Sequence, residues 1–147
     1  MFQKILVPTD GSKLSTKAIN SAINLSKSIN AEILALKVIP EYLQIYSEGM
    51  MPLENKQIVA IEKKWENEGN KILTKVKNIA EKKGVLIKTL TDKNNMVSDS
   101  IIKTAIKNQV DLIVMASHGR NRFQRLILGS EAVKVLHYSK IPVLIIR

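Results

Sequence analysis

Apolar positions along the chain fall into short continuous runs that alternate with longer periodic stretches. Ile5–Val7, inside Phe2–Pro8, is a run of the kind buried on both faces of a sheet, and Pro8 cannot continue a ladder, so a first strand ends there. Thr9, Asp10, Gly11 and Ser12 form a polar turn in which Ser12 is placed to cap a helix. From Lys13 to Ile29, the residues Leu14, Ala18, Ala22, Leu25 and Ile29 recur at spacings of three and four, predicting an amphipathic helix closed by Asn30. Ala31–Ile39 reads as a second strand ended by Pro40. The stretch from Pro40 to Pro52, with Tyr42, Tyr46, Gly49, Met50 and Met51, reads as an irregular loop, and a loop of that length usually covers something.

A long helix follows from about Leu53 to Lys83, with Ile58, Ile61 and Trp65 on one face and Leu73, Val76 and Ala80 continuing a face further on. Gly69 interrupts it at a cost of about 1 kcal/mol relative to alanine, which leaves a bend or break open there, and Gly84 ends it. Val85–Thr91 predicts a third strand. Asp92–Asn95 is a turn in which Asn95 can hold a positive φ. Ser98 is placed to cap a helix to about Asn108 whose inward residues are Ile101, Ile102, Ala105 and Ile106. Leu112–Ala116, bounded by Asp111 and by Ser117, His118 and Gly119, has the form of a fully buried parallel strand. Gly129 and Ser130 then open a helix to about Tyr138, buried through Ala132, Val133 and Leu136, and Pro142–Ile146 is a last strand.

Strands that alternate with helices in this way imply an open five-stranded parallel sheet with helices on both faces and right-handed crossovers. Ligands of such sheets bind outside the carboxyl ends of the strands, where the strand order reverses. The ends of the first strand (Pro8, Thr9, Asp10) and the fourth (Met115 to Gly119) are the natural pair to flank that crevice.

Composition narrows the picture. The 147 residues fit one domain over 1–147, and the 45% hydrophobic content suits a packed core. No apolar run approaches the ~20 residues that cross a bilayer, and the N-terminus lacks the order of a signal peptide, so a soluble cytoplasmic protein is expected. With no cysteine there is no disulfide or thiolate chemistry, and two histidines leave a histidine-rich metal site improbable. The net charge of +10 favours anionic partners. The lysines are nevertheless scattered over every predicted helix and aromatics make up only 4%, which favours solvated faces over a nucleic-acid groove. Arg120, Arg122 and Arg125 form a local cluster inside the loop between Gly119 and Gly129.

Gly129–Ser130 supplies free backbone N–H groups, a hydroxyl and the positive end of a helix dipole, which together make an anion site. Several phosphate and nucleophile motifs are absent: G-x-x-x-x-G-K-[ST], G-x-G-x-x-G after the first strand, and G-x-S-x-G. A receiver domain is excluded because Asp10 stands alone at the end of the first strand and the third strand carries lysine up to Thr91–Asp92.

Ala116-Ser117-His118-Gly119, nine residues, then Gly129-Ser130 resembles the G-x-x-G, nine residues, G-[ST] ATP-binding signature of the universal stress protein family. The opening K-I-L-V-P-T-D-G-S, the block V-D-L-I-V-M-x-S-H-G and the closing I-P-V-L-I-I resemble the family at the expected distances, so the likeness covers nearly the whole chain. It implies a Rossmann-like fold of the adenine nucleotide alpha hydrolase type with strand order 3-2-1-4-5. It also implies ATP as ligand, with AMP or ADP as further candidates, and magnesium. In that likeness Pro8, Thr9 and Asp10 lie against the nucleoside, with Asp10 near the ribose or, through magnesium, near the phosphates. Val38 lines the adenine pocket with its backbone and Met115 covers the base. Gly119, Arg120, Gly129 and Ser130 embrace the phosphates, with the N–H groups of Glu131 and Ala132 following, and Ala116 and His118 complete the motif.

Two departures bear on this reading. The first motif glycine is Ala116, harmless if its backbone is extended and harmful if a positive φ is needed. Glu131 stands where the family has a small or apolar residue; it suits a helix N-terminus but repels a triphosphate, which the three arginines could offset. Residue 133, where an acid is expected, is Val133. Simpler roles stay open: Asp10 or Ser130 as helix caps, His118 as a turn residue bonded to backbone, Met115 as core. The resemblance implies a nucleotide-dependent regulatory or partner-binding module, with weak ATP hydrolysis or autophosphorylation in some members. A dimeric interaction module independent of nucleotide, a basic nucleic-acid binder and an ATP-consuming enzyme are the other readings. Val143–Ile146 is too apolar for an exposed sheet edge, and the resemblance too implies a homodimer through this strand.

Overall fold

The computed structural model describes residues 1–43, 49, 51–119 and 128–147. Its elements are β1 (Lys4–Pro8), α1 (Lys13–Ile29), β2 (Glu32–Ile39), α2 (Asn55–Lys82), β3 (Ile87–Lys93), α3 (Val97–Lys107), β4 (Leu112–Ala116), α4 (Ser130–Tyr138) and β5 (Val143–Ile146). The five strands form one parallel sheet in the order β3-β2-β1-β4-β5, as expected. A receiver domain would have the order 2-1-3-4-5, so topology independently excludes that comparison.

β1 is central because Ile5, Leu6 and Val7 find apolar partners on both faces, and all three are fully buried. Side chains alternate across a strand. Ile5, Val7, Ile33, Ala35, Leu112 and Val114 therefore pack on the side of α1 and α2, while Leu6, Leu34, Leu36, Ile113 and Met115 pack on the side of α3 and α4. Each such Ile or Leu contributes roughly 1.5–3 kcal/mol by leaving water. The carboxylate of Asp111 accepts the N–H groups of Gln3 (2.8 Å) and Lys4 (2.9 Å), which ties the start of β1 to that of β4 and sets the register Ile5 to Leu112.

Caps explain most boundaries. The Ser12 hydroxyl accepts the N–H of Ser15 at 3.1 Å, and Asn30 closes α1 in the left-handed region at φ 55°, both as expected. Gly84, at φ 69°, closes α2: its N–H bonds Glu81 O while that of Val85 bonds Ala80 O. Val85 thus belongs to the helix stop, so β3 starts at Ile87 and runs on through Asp92 and Lys93, later than the expected Val85–Thr91. Gln109, not Asn95, takes the remaining non-glycine positive φ of the described residues, because the same pattern of bonds, Gln109 N to Ile106 O and Val110 N to Ala105 O, ends α3. At its other end α3 begins at Val97 with Met96 in the cap position, so Ser98 is inside the first turn and is not the cap.

Helix faces are rotated from those expected. α1 buries Ser15, Ala18, Ile19, Ala22, Ile23 and Ser26, leaving Leu14, Leu25 and Ile29 half-buried at its margins. Its buried hydroxyls are satisfied locally, Ser15 Oγ on Ser12 O and Ser26 Oγ on Ala31 O, so small polar residues allow close approach to the sheet. In α3, Ile101 and Ala105 face inward as expected, but Ile106 is exposed and Ser100 and Thr104 are buried. In α4, Val135 joins Ala132 inside while Val133 and Leu136 face out. α2 runs unbroken through Gly69, with Leu73, Val76 and Ala80 buried as expected. A Cβ on Gly69 would lie 3.2 Å from both Ile39 Cδ1 and Lys37 Cγ, so this glycine serves the approach of α2 to β2 and does not break the helix.

Candidate functional site

A cavity of about 340 Å³ opens at the carboxyl ends of β1, β2 and β4, bordered by the N-termini of α3 and α4. Pro8, Thr9, Asp10, Val38, Met115, Ala116, His118, Gly119, Gly129, Ser130, Glu131 and Ala132 all line it. Arg120, with Arg122 and Arg125, lies outside the described residues, as do Tyr46 and Met50 of the long loop.

The β1 side is built from a turn held by its own side chains. Thr9 N donates to Leu36 O at 2.9 Å, carrying the ladder one residue past Pro8. The Thr9 hydroxyl is buried, 3.1 Å from Ser15 Oγ, and accepts the N–H of Gly11 at 3.2 Å. Asp10 Oδ1 accepts the N–H of Ser12 at 2.9 Å. Asp10 is therefore bonded into the turn that starts α1, while Ser12 is the cap. A Cβ on Gly119 would come 3.0 Å from Asp10 Oδ2, so glycine at this position lets the β4 loop close against the β1 turn.

On the β4 side, Ala116 is the last strand residue, paired with Ile146, and has no positive φ. Alanine is accommodated by the extended backbone there. Ser117 is buried: its N–H donates to Ile146 O at 2.8 Å, its carbonyl accepts the N–H of Gly129 at 2.7 Å, and its hydroxyl lies 2.8 Å from His118 Nδ1. Among the described residues the His118 ring is bonded to the side chain of Ser117. Its Nε2 is buried without a partner among the described residues. Gly129 sits at φ −61°, an ordinary angle, yet a Cβ there would lie 3.0 Å from Ser117 O and 3.3 Å from His118 Cα. The glycine is required by space.

Gly129 is also the cap of α4, so Ser130 is the first helical residue and not the cap. The first intrahelical bond runs from Val133 N to Gly129 O at 3.0 Å, which leaves the N–H groups of Ser130, Glu131 and Ala132 ahead of the ladder at the cavity rim. Glu131 turns toward α3: Oε2 accepts the N–H of Ser98 at 2.8 Å and Oε1 accepts Lys134 Nζ at 3.1 Å. Burial raises the Glu131 carboxyl, but the Lys134 ammonium and the Ser98 N–H outweigh it and hold the group below the usual glutamate range. On the β2 side the carbonyl of Val38 accepts Lys37 Nζ at 2.8 Å, so that backbone group is already engaged. Met115 is both core and cavity wall.

Sequence reasoning missed Ser15, Leu36, Lys37, Val97, Ile101 and Ser117 as lining residues. Leu36 follows from Val38 by strand alternation, and Ser117 lies inside the motif itself. No local signal pointed to Val97 or Ile101, which reach the cavity only through the packing of α3. Among the described residues no three His, Cys, Asp or Glu side chains cluster as a metal site, and no helix is long and apolar enough to cross a membrane.

An open parallel sheet of order 3-2-1-4-5, with a cavity at its switch point bordered by the N-termini of α3 and α4, defines a Rossmann-like fold. The sequence profile of the Universal stress protein family matches residues 1–147, and the chain belongs to that family. It is 36% identical to a universal stress protein of Bacillus subtilis over the full length of both chains. It is 34% identical to one of Methanocaldococcus jannaschii, covering 100% of this chain and 83% of that protein. Among solved structures, universal stress protein UspA from Lactobacillus plantarum matches with a TM-score of 0.84 at 20% identity, covering 99% of this chain and 98% of that one. A universal stress protein in complex with cAMP matches at TM-score 0.70 and 23% identity, covering 99% and 97%. One from Archaeoglobus fulgidus in complex with dAMP matches at 0.65 and 16%, covering 99% and 98%.

Proposed function

We propose that the cavity is an adenine-nucleotide site and that the protein acts as a nucleotide-dependent regulatory or partner-binding module. The observation that carries this is the convergence of residues from β1, β2, β4 and α4 on one cavity whose rim offers the first-turn N–H groups of α4. Leu36, Val38, Ile101 and Met115 form an apolar wall suited to a purine. Ser130 and the N–H groups behind it suit a phosphate, and Gly119 and Gly129 let the β1 turn, the end of β4 and the start of α4 close together around that end of the cavity. Adenine monophosphates in two proteins of the same fold agree with this reading.

ATP, ADP and AMP are all candidate ligands. Magnesium enters only with the nucleotide: Asp10 supplies a single carboxylate, which fits an ion held mainly by phosphates and water. We also propose a homodimer through Val143–Ile146, supported by the position of β5 at the sheet edge with Leu144 exposed.

The test is nucleotide release. Freshly purified protein is denatured, cleared and its supernatant chromatographed, and the emptied protein is then melted with millimolar AMP, ADP and Mg-ATP. Near-stoichiometric adenine nucleotide, or a rise in melting temperature with any of the three, is expected. Empty protein that shows no shift with any of them would leave the nucleotide-independent interaction module as the function.

A further inference from the structure

Glu131 is the second residue of α4 and lines the cavity at the helix end that offers its N–H groups to a phosphate. Its carboxylate is not free to swing away. Ser98 N holds one oxygen at 2.8 Å and Lys134 Nζ the other at 3.1 Å. Ser98 lies in the first turn of α3, so the carboxylate occupies the place where an anion would sit at that second helix end. Of the two helix N-termini at the cavity, one is therefore already answered by a protein anion. Asp10 contributes a second carboxylate on the β1 side. The nearby lysines are engaged locally, Lys37 on Val38 O and Lys134 on Glu131 itself.

Resting on the adenine-nucleotide reading above, we propose that Glu131 is a specificity-determining residue that favours adenine monophosphates over triphosphates. Glu131 is itself one of the three residues whose N–H groups would take the first phosphate, so its carboxylate, held toward α3, lies no more than one side chain's length from those donors. Each further phosphate adds negative charge in the same confined space, so the repulsion grows with the length of the chain. The adenine and ribose contacts are the same for every member of the series, so discrimination arises at this end of the site. Lys134, paired with the carboxylate at 3.1 Å, softens the effect.

Affinities for AMP and ATP are measured by calorimetry in EDTA, so that no cation masks the phosphates, for the wild-type chain, Glu131→Gln and Lys134→Gln. Glutamine keeps an oxygen for the Ser98 N–H while removing the charge. In Glu131→Gln the Kd for ATP relative to AMP is expected to fall about tenfold, the order of one charge contact at the protein surface, mainly through tighter ATP. In Lys134→Gln the same ratio is expected to rise. A ratio that stays within about twofold of wild type in both variants would overturn the proposal and leave Glu131 as a helix tie. Should Glu131→Gln melt far below wild type, the half-exposed Lys134 variant decides alone. Failure of every chain to bind either nucleotide would instead overturn the adenine-nucleotide reading, and this proposal with it.

Discussion

At Gly129 a methyl group would meet main-chain atoms, Ser117 O at 3.0 Å and His118 Cα at 3.3 Å, and neither can move without shifting the end of β4 or the start of α4. Gly129→Ala is therefore expected to destabilise the fold by about 1–3 kcal/mol, the usual cost of overpacking. It should also weaken any ligand held at the α4 N-terminus. Urea unfolding and ligand melting shifts check both; a variant with wild-type stability would show that the β4 loop gives way easily. The glycine spacing was legible because the two glycines lie in one short stretch of sequence. The tie between Glu131 and Ser98 was not, because it joins residues from two helices that only the packed fold brings together, and a serine before a helix reads locally as a cap. The arrest of Val38 O by Lys37 escaped notice for another reason: adjacent strand side chains point to opposite faces, so a neighbour's ammonium is not expected on the main chain.

Element boundaries were legible wherever a cap or a proline marked them, as at Ser12, Asn30, Pro8 and Gly84. Helix faces were less so. α1, α3 and α4 carry apolar residues on more than one side, and the choice between them was made by serines and alanines that allow close packing. Gly69 illustrates the limit: helix propensity reads it as a weak point, whereas packing makes it a contact surface against Ile39 and Lys37. Two substitutions separate these views. Gly69→Ala gains about 1 kcal/mol of helix propensity and meets only side-chain atoms that can yield, so its stability should stay near wild type. Gly69→Leu cannot be absorbed and should cost about 1–3 kcal/mol. Denaturation midpoints distinguish them, and a large gain from leucine would mean that α2 and β2 are loosely packed.

Across the whole molecule, the sheet leaves two edges of different character. β3 is mostly polar, with only Ile87 and Leu90 apolar and Lys88 exposed beside Glu32, whereas β5 is Val143-Leu144-Ile145-Ile146 with Leu144 exposed. Charged side chains protect an edge and an apolar one invites pairing. Wild-type protein at micromolar concentration is expected to scatter light as a dimer and Leu144→Lys as a monomer; a monomeric wild type would refute the edge as an interface. The strand order itself was legible only through family likeness, since periodicity yields strands and helices but not their neighbours. That order has a kinetic consequence. Ile5 pairs with Leu112, more than a hundred residues away, and the cavity takes its walls from both sides of that junction. Closing so long a loop is slow, and a ligand can grip only a chain that has already closed it. Occupancy then holds the native state without helping the states that precede it, so it slows unfolding and leaves the folding rate unchanged. A filled site lengthens the life of the folded chain; it does not hasten its birth.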